Sequence, residues 1–431
     1  MKKAFISFST DIIHGGHIRI IQEAAKMGEL TAGVLSDQAV ATFKRFPLLT
    51  TSERMEIIQN IVGVKHVVKQ ETLLGEDILR ALKPDYVVHG DDWQTGSLSS
   101  LRTKVIDLIK EWGGTLHEVP YSKNSEYTSV ELHARSQLAI PDIRRGRLKK
   151  LLAIKPLVNA IEVHSGLTGL IAENIKATND GEISQFDAMW VSSLCDSTAK
   201  GKPDIELVDM TSRLRTIDDI MEVTTKPIIF DGDTGGQSDH FSYLIRTLER
   251  VGVSAVIIED KKGAKRNSLF GTSVKQEQDS IENFSEKIAI GKNSMKTRDM
   301  LLIARIESLI LERGMDDAIT RAEAFVKAGA DGIMIHSRQK SPDEIFEFCR
   351  LFREMDSMTP LVVVPSTFTS VTEEEFERRG VNIVIYANQL TRSAFPAMQK
   401  TAQMILEHRR AQEADEVCMS INDIIKLIPE V

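Results

Sequence analysis

The chain reads as an α/β protein built in two parts, a small doubly wound parallel sheet followed by a (β/α)8 barrel. Three observations predict this. Short apolar runs alternate with amphipathic helical stretches along nearly the whole length, the pattern of parallel sheets. The length, 431 residues, exceeds one typical hydrophobic core. Eight strand-like runs follow one another in the second part, each with a helical or loop stretch behind it.

In the first part the strands are expected at Ala4–Phe8, Leu30–Leu35, His66–Val68, Tyr86–His89 and Thr115–Glu118. Helices are expected over His17–Met27, Ser52–Ile61, Asp77–Leu82 and Leu101–Trp112. Thr50-Thr51-Ser52-Glu53 offers a capping box for the second of them. Five strands suffice for a small doubly wound sheet. Pro141 then breaks the pattern, and Arg144, Arg145, Arg147, Lys149 and Lys150 form a basic run. Such a run reads as a solvated helical linker. The expected division is 1–140, a linker at 141–155, and 156–431.

The barrel strands are expected at Val158–His164, Phe186–Val191, Pro227–Phe230, Ala255–Ile258, Leu301–Ile306, Gly332–His336, Leu361–Val364 and Ile383–Tyr386. Barrel chemistry sits at the C-terminal ends of the strands. Those ends carry His164, Trp190 and Ser192, Asp231 and Asp233, Glu259, Arg305 and Glu307, His336, Ser366 and Asn388. Nearly every strand ends in a polar group, and together they predict one anionic cup with cationic and amide edges.

Composition excludes several classes. Hydrophobic content of 42% and charged content of 27% fit a globular protein. A net charge of -8 with mixed signs argues against general nucleic-acid or membrane binding. Cys195, Cys349 and Cys418 lie far apart, so a disulfide framework is not expected. The N-terminal apolar run is too short for a signal peptide, which points to a cytoplasmic location.

Asp231-Gly232-Asp233 places two carboxylates on the same side of an extended chain, and Glu259 joins them from the next strand end. Carboxylates so placed repel unless a cation sits among them, and hard oxygen donors suit Mg²⁺ or Mn²⁺. Arg305 and His336 are placed to hold an anion beside it. The stretch D-K-K-G-A-K-R-N-S-L-F-G-T-S-V-K-Q-E-Q at 260–278 reads as a lid. Gly263 and Gly271 are its hinges, and Lys265 and Asn267 its phosphoryl-reaching donors. Lys262 reads as solvated.

The string from Glu259 to Ser268, E-D-K-K-G-A-K-R-N-S, resembles phosphoenolpyruvate mutase of the isocitrate lyase superfamily, with D-G-D-T-G upstream and R-I-E and M-I-H-S downstream. The resemblance implies a TIM barrel of that type. It implies isomerisation of phosphoenolpyruvate to 3-phosphonopyruvate, with metal at Asp231 supported by Asp204, Asp233 and Glu259. Trp190, Ser192 and Leu194 would line the pyruvyl site. Asp204, Lys265, Asn267, Arg305 and His336 would be catalytic, with Asn267, Arg305 and His336 holding the phosphoryl group. The family pattern usually has Gly where Ser193 stands. Lyases of the superfamily carry Cys in a K-(K/R)-C-G-H motif. Here the matching place reads K-R-N-S, so lyase chemistry is not expected.

In the first part, His14-Gly15-Gly16-His17 matches H-x-G-H at a helix start, where backbone N–H groups favour phosphate. With S-D-Q-A-V before Lys44, Glu53-Arg54 and H-G-D-D-W at 89–93, this part resembles the glycerol-3-phosphate and phosphoethanolamine type of cytidylyltransferase. The resemblance implies a Rossmann-like nucleotidyltransferase domain. His14 and His17 would act catalytically on the triphosphate, Lys44 would bind phosphates, and Asp11 and Asp92 would shape the nucleotide site. The family's (R/Y)-T-E-G-I-S-(S/T)-T segment is replaced by Y-S-K-N-S-E-Y-T-S-V, which keeps the hydroxyls of Thr128 and Ser129.

The combined expectation is a phosphonate-biosynthesis enzyme whose first domain transfers CMP from CTP to a small phosphonate such as 2-aminoethyl- or 2-hydroxyethylphosphonate. The alternative is a phosphonopyruvate hydrolase with a regulatory nucleotide-binding domain. A homodimer or homotetramer formed by exchange of a C-terminal helix is also implied, with Ala394–Glu413, then Ile421–Ile428, as the stretch that supplies it.

Overall fold

The computed structural model describes residues 2–9, 13–42, 47, 49–94, 98–120, 141–179, 182–263 and 265–428. The chain begins with β1 (Lys3–Phe8), α1 (Gly15–Met27), β2 (Glu29–Leu35), α2 (Asp37–Ala41), α3 (Thr51–Gln59), β3 (Val64–Gln70), α4 (Glu76–Leu82), β4 (Tyr86–Gly90), α5 (Ser99–Lys110) and β5 (Thr115–Val119). All pairings are parallel, in the order β3-β2-β1-β4-β5. Alternation along β1 serves both faces. Ala4, Ile6 and Phe8 pack on one side with Ile21 of α1 and Ile58 of α3. Phe5 packs on the other with Leu79 of α4 and Val105 and Leu108 of α5. Thr50 and Glu53 form the expected capping box of α3.

Next come α6 (Pro141–Ile154), β6 (Val158–Val163), α7 (Gly166–Asn174), the hairpin β7 (Ala177–Asn179) and β8 (Glu182–Ser184), β9 (Ala188–Val191), α8 (Ser193–Ala199), α9 (Met210–Val223), β10 (Ile228–Asp231), α10 (Ser238–Val251) and β11 (Ala255–Glu259). A short ribbon, β12 (Lys261–Lys262) with β13 (Glu277–Gln278), precedes α11 (Ile281–Ser294), β14 (Leu301–Ile306), α12 (Met315–Lys327), β15 (Gly332–Ile335), α13 (Asp343–Met355), β16 (Leu361–Val363), α14 (Glu373–Arg378), β17 (Ile383–Tyr386), α15 (Gln389–His408) and α16 (Ile421–Lys426). Eight strands, β6, β9, β10, β11, β14, β15, β16 and β17, close into the expected barrel. Ala160, Trp190, Ile229, Ile257 and Ile303 fill its interior. Their strand neighbours Ile161, Val191, Phe230, Ile258 and Leu302 face the helices.

The basic run is not a solvated linker. Arg144, Arg145 and Arg147 on α6 are buried. Arg144 donates to the Thr224 carbonyl, Arg147 Nη1 to Thr225 at 3.0 Å and Arg145 Nη1 to Glu249 at 2.9 Å. The Thr224 and Thr225 carbonyls lie just past the end of α9, where no further helical turn supplies a donor, and that of Glu249 lies in the last turn of α10, where it also accepts from the Gly252 N–H at 3.2 Å. Guanidinium forks supply the donors, while Leu148 and Leu151 enter the barrel interior. Helix α6 therefore closes the N-terminal end of the barrel and leaves the other end for chemistry. The sheet unit meets the barrel unit through Ile183 of β8, packed against Leu35, Ala39 and Val40.

Candidate active site

At the C-terminal mouth a cavity is lined by Trp190, Ser192, Leu194, Asp204, Asp231, Lys265, Asn267, Arg305, Met334, His336, Ser366 and Asn388, among others. The strand-end prediction thus brings most of its residues together. Asp233, Glu259 and Glu307 lie behind the lining, paired with Lys265, Lys261 and Arg305, and His164 stands apart. It leaves the cup because its Nδ1 lies 2.9 Å from Glu162 Oε2 and 3.2 Å from Thr391 Oγ1, so its polar atom is used beside the mouth.

Gly232 has a steric cause. A Cβ there would lie 2.9 Å from side-chain carbons of Val256 and Ile258 on β11, so the turn lies flat on its neighbour. Asp233 follows with φ 53°, in the left-handed region. Lys265 Nζ lies among the carboxylates, 2.5 Å from Asp233 Oδ1, 3.4 Å from Asp204 Oδ1 and 3.6 Å from Asp231 Oδ2. It also donates to Ser193 Oγ. That hydroxyl lies 2.7 Å from Asp231 Oδ2 and 3.2 Å from Asp204 Oδ1. Ser193, where Gly was expected, therefore adds a polar atom to the cluster.

Burial pushes Asp231 up, but Lys265, Arg213 and Arg305 outweigh it and hold this carboxyl below its ordinary range. Burial wins for Asp233, which is raised. Burial would lower Lys265, yet Asp231, Asp233 and Asp204 hold its ammonium well above the ordinary value. Among the described residues no three His, Cys, Asp or Glu side chains converge as a metal cage; the carboxylates converge on Lys265. The donor set still fits a hard cation. Both oxygens of buried Glu259 lack a hydrogen bond, and burial raises its carboxyl to about 7. Its oxygens face Lys261 Nζ at 3.4 Å and Arg305 Nη1 at 3.5 Å, and with Asp204, Asp231 and Asp233 it offers the hard oxygen donors that Mg²⁺ or Mn²⁺ takes.

The anion side is tightly bonded. Arg305 Nε donates to Glu307 Oε1 at 2.6 Å, and its Nη2 donates to Ser268 Oγ at 2.6 Å and to His336 Nδ1 at 3.0 Å. Arginine only donates, so His336 Nδ1 accepts and the neutral ring carries its proton on Nε2. Burial and Arg305 both lower the His336 pKa, which keeps the ring neutral. Burial would raise Glu307, but Arg305, His336 and Lys261 pull it well below the carboxylate range.

The 260–278 segment folds over this cavity. Asn267 Nδ2 donates to Asp204 Oδ2 at 3.0 Å. Ser268 Oγ accepts from Lys261 Nζ at 2.8 Å and donates to Glu307 Oε2 at 2.5 Å. Gly263 and Gly271 adopt φ 78° and 51°. The stem is fixed by Asp260, whose Oδ2 accepts from Gln278 and Arg321 and whose Oδ1 accepts from the Glu307 N–H. Lys262 is exposed, as expected, whereas Lys261 is buried between Glu259 and Glu307. Sequence reasoning missed Lys261, Ser268 and Arg213. For the first two the signal was present, because both lie within the quoted string.

In the sheet unit His14 caps α1. Its Nδ1 accepts from the Gly16 N–H at 3.1 Å, its own N–H donates to His17 Nδ1 at 3.4 Å, and the two rings lie 4.0 Å apart. The H-x-G-H pair thus sits at a helix N-terminus, as expected. Burial and Arg19 lower the His14 pKa. Asp11, Lys44, Thr128 and Ser129 lie outside the described residues, as does the side chain of Asp92.

Comparison with known proteins agrees with this geometry. Residues 148–406 match the family described as phosphoenolpyruvate phosphomutase, and residues 9–129 the family described as cytidylyltransferase-like. A phosphoenolpyruvate phosphomutase of Tetrahymena pyriformis is 33% identical over 65% of this chain and 90% of its own length. A phosphonopyruvate hydrolase of Variovorax sp. (strain Pal2) is 35% identical over 60% of this chain and 89% of its own. The crystal structure of phosphoenolpyruvate phosphomutase from Streptomyces platensis subsp. rosaceus superposes with a TM-score of 0.59 at 29% identity, over 65% of this chain and 93% of that one. A phosphonopyruvate hydrolase in complex with oxalate and Mg²⁺ gives 0.59 at 32% identity, over 66% and 94%. By its barrel, its site and these matches, the chain belongs to the phosphoenolpyruvate phosphomutase family and carries an N-terminal cytidylyltransferase-like domain.

Proposed function

We propose that the barrel interconverts phosphoenolpyruvate and 3-phosphonopyruvate, and that the sheet unit transfers CMP from CTP to a small phosphonate such as 2-aminoethyl- or 2-hydroxyethylphosphonate. The observation that carries the first reading is the lid. Asn267, bonded to Asp204 of the aspartate cluster, lines the same covered cavity as Arg305 and His336. Asp231 would hold Mg²⁺ or Mn²⁺, with Asp204, Asp233 and Glu259 supporting it. When bound, the cation supplies positive charge against the pyruvyl oxygens. Trp190, Ser192 and Leu194 bound the pyruvyl group. The P–O bond to the enol oxygen breaks and its electron pair stays on that oxygen. The C3 carbon of the enolate then forms the C–P bond. Arg305, Asn267 and the Nε2–H of His336 hold the phosphoryl oxygens between these events. Lys265, kept charged by its aspartates, adds positive charge on the enolate side. The lid excludes the water that would otherwise take the phosphoryl group.

The Variovorax relative favours a second reading, hydrolysis of phosphonopyruvate. Conversion of phosphonopyruvate to phosphoenolpyruvate by the Mg²⁺-loaded protein, lost in Asp231→Ala, supports the isomerase. Release of pyruvate and phosphate alone supports the hydrolase. For the sheet unit, pyrophosphate release from CTP with either phosphonate, absent in His14→Ala, is the expected result. CTP binding without pyrophosphate would make the unit a regulator.

Helix exchange between copies is also part of the reading. Helix α15 buries no residue, and Phe395, Met398 and Leu406 on it are exposed. Leu167, Ile171 and Ile175, four apart along α7 and into the residue that follows it, form an open apolar stripe. A partner's α15 would cover that stripe, giving a homodimer or homotetramer.

A further inference from the structure

We infer that Arg213 is a positioning residue of the cation-binding turn, holding Asp231-Gly232-Asp233 in the shape that accepts a divalent ion. The inference rests on the cation site proposed above. Arg213 lies on α9, whose start is fixed by Asp209: its Oδ1 accepts from the Ser212 N–H at 3.1 Å. The arginine side chain is 2% exposed, so the guanidinium lies in the protein interior. A single nitrogen, Nη1, donates to the Asp231 carbonyl at 2.6 Å and to Asp233 Oδ2 at 2.9 Å. One group therefore grips both ends of the three-residue turn. Nη2 reaches the Val191 carbonyl on the neighbouring strand at 3.4 Å, which ties the turn to the pyruvyl side of the mouth.

Two further contacts fix the plane of the fork. The Phe230 ring lies 4.2 Å from the guanidinium carbon. Asp196 Oδ2 lies 3.8 Å from Nε, with no hydrogen bond to either atom. An arginine buried this deeply is costly unless its geometry is used. Here it offsets two costs at once. Asp233 occupies a left-handed conformation that disfavours a side chain, and its carboxylate faces Asp231 across one residue. Arg213 restrains the first and neutralises part of the second. It is not placed to touch substrate, since it does not line the cavity. Lysine would keep the charge, but it lacks the planar fork that spans carbonyl and carboxylate while bonding to the next strand.

The test is Mn²⁺ binding to the full-length protein, followed by electron paramagnetic resonance of the free ion, for the parent, Arg213→Lys, Arg213→Met and Asp231→Ala. Outer partners of ligands typically change metal affinity by about 10–100-fold. The expected result is saturable binding by the parent, weakening by about that factor in Arg213→Met, and partial rescue in Arg213→Lys. The Mg²⁺ concentration for half-maximal turnover should rise in parallel, with kcat largely recovered at saturating Mg²⁺. A purely structural residue would lower Tm without moving that constant. If Arg213→Met does not fold, Arg213→Lys alone decides. Parent-like Mn²⁺ affinity in Arg213→Lys, and in Arg213→Met where it folds, overturns the inference and leaves the cation site standing. Absence of saturable binding in the parent overturns the cation site itself.

Discussion

Ser268→Ala removes one oxygen that joins the lid to the barrel. That hydroxyl accepts from Lys261 and Arg305 and donates to Glu307, all three of them buried and charged. A hydrogen bond to a charged group contributes about 1.5–3 kcal/mol net. Lys261 and Glu307 keep a direct ion pair at 3.1 Å, and Arg305 keeps Glu307, so the loss is closer to one such bond than to three. The closed lid should therefore open about 10–150-fold more often. Hydrogen exchange of amides in 261–278 reads this directly. The same variant should release more phosphate per turnover, because water enters. Unchanged exchange in the segment, with unchanged product ratio, would refute the idea that Ser268 latches the lid.

Three other outcomes follow from the same structure. Burial raises Glu259 to about 7, so the folded protein binds a proton that the unfolded chain releases near the ordinary value of 4.5. This contribution destabilises the metal-free protein as pH rises from 4.5 through 7, and it reaches full size above 7. The Tm of the parent relative to Glu259→Gln should fall from pH 5 to pH 8, and added Mg²⁺ should reverse the trend. Arg144→Ala leaves the Thr224 carbonyl at the barrel floor without its donor, at a cost of about 1–3 kcal/mol, to be read from urea unfolding with kcat unchanged in the folded fraction. With α15 exchanged between copies as proposed, light scattering should find the parent as an oligomer and Ile171→Asp as a monomer without loss of secondary structure; a monomeric parent would contradict the exchange.

Periodicity made most of the fold legible. All eight barrel strands and all five sheet strands fall where apolar runs lie. The five-residue helix α2 escaped, because a segment that short carries no helical period. The basic helix was misread for a different reason. Charge density suggests solvent, but the Arg144 and Arg147 guanidinium groups bond to carbonyls contributed from about 80 residues away, which no local pattern reveals. The site divides the same way. Asp231, Glu259, Arg305 and His336 were visible as strand ends. Asn267 was visible in the donor density of the lid stretch, whereas Asp204 came through family resemblance, both being on loops. Arg213 was invisible, because its place in the first turn of α9 gives no sign that it points under the next strand's turn. His164 shows the converse: a strand-end position does not guarantee the cup when Glu162 is two residues away.

In the proposed isomerisation the phosphoryl group moves within one substrate, out of reach of water. Phosphonopyruvate with Mg²⁺ in ¹⁸O-labelled water, followed by phosphorus NMR, tests it most directly. Isomerisation gives a growing phosphoenolpyruvate signal with no ¹⁸O in the three non-bridging phosphoryl oxygens, the bridging oxygen being the ketone oxygen that exchanges with water before the transfer. Inorganic phosphate carrying ¹⁸O, formed without phosphoenolpyruvate, would contradict it and make the barrel a hydrolase.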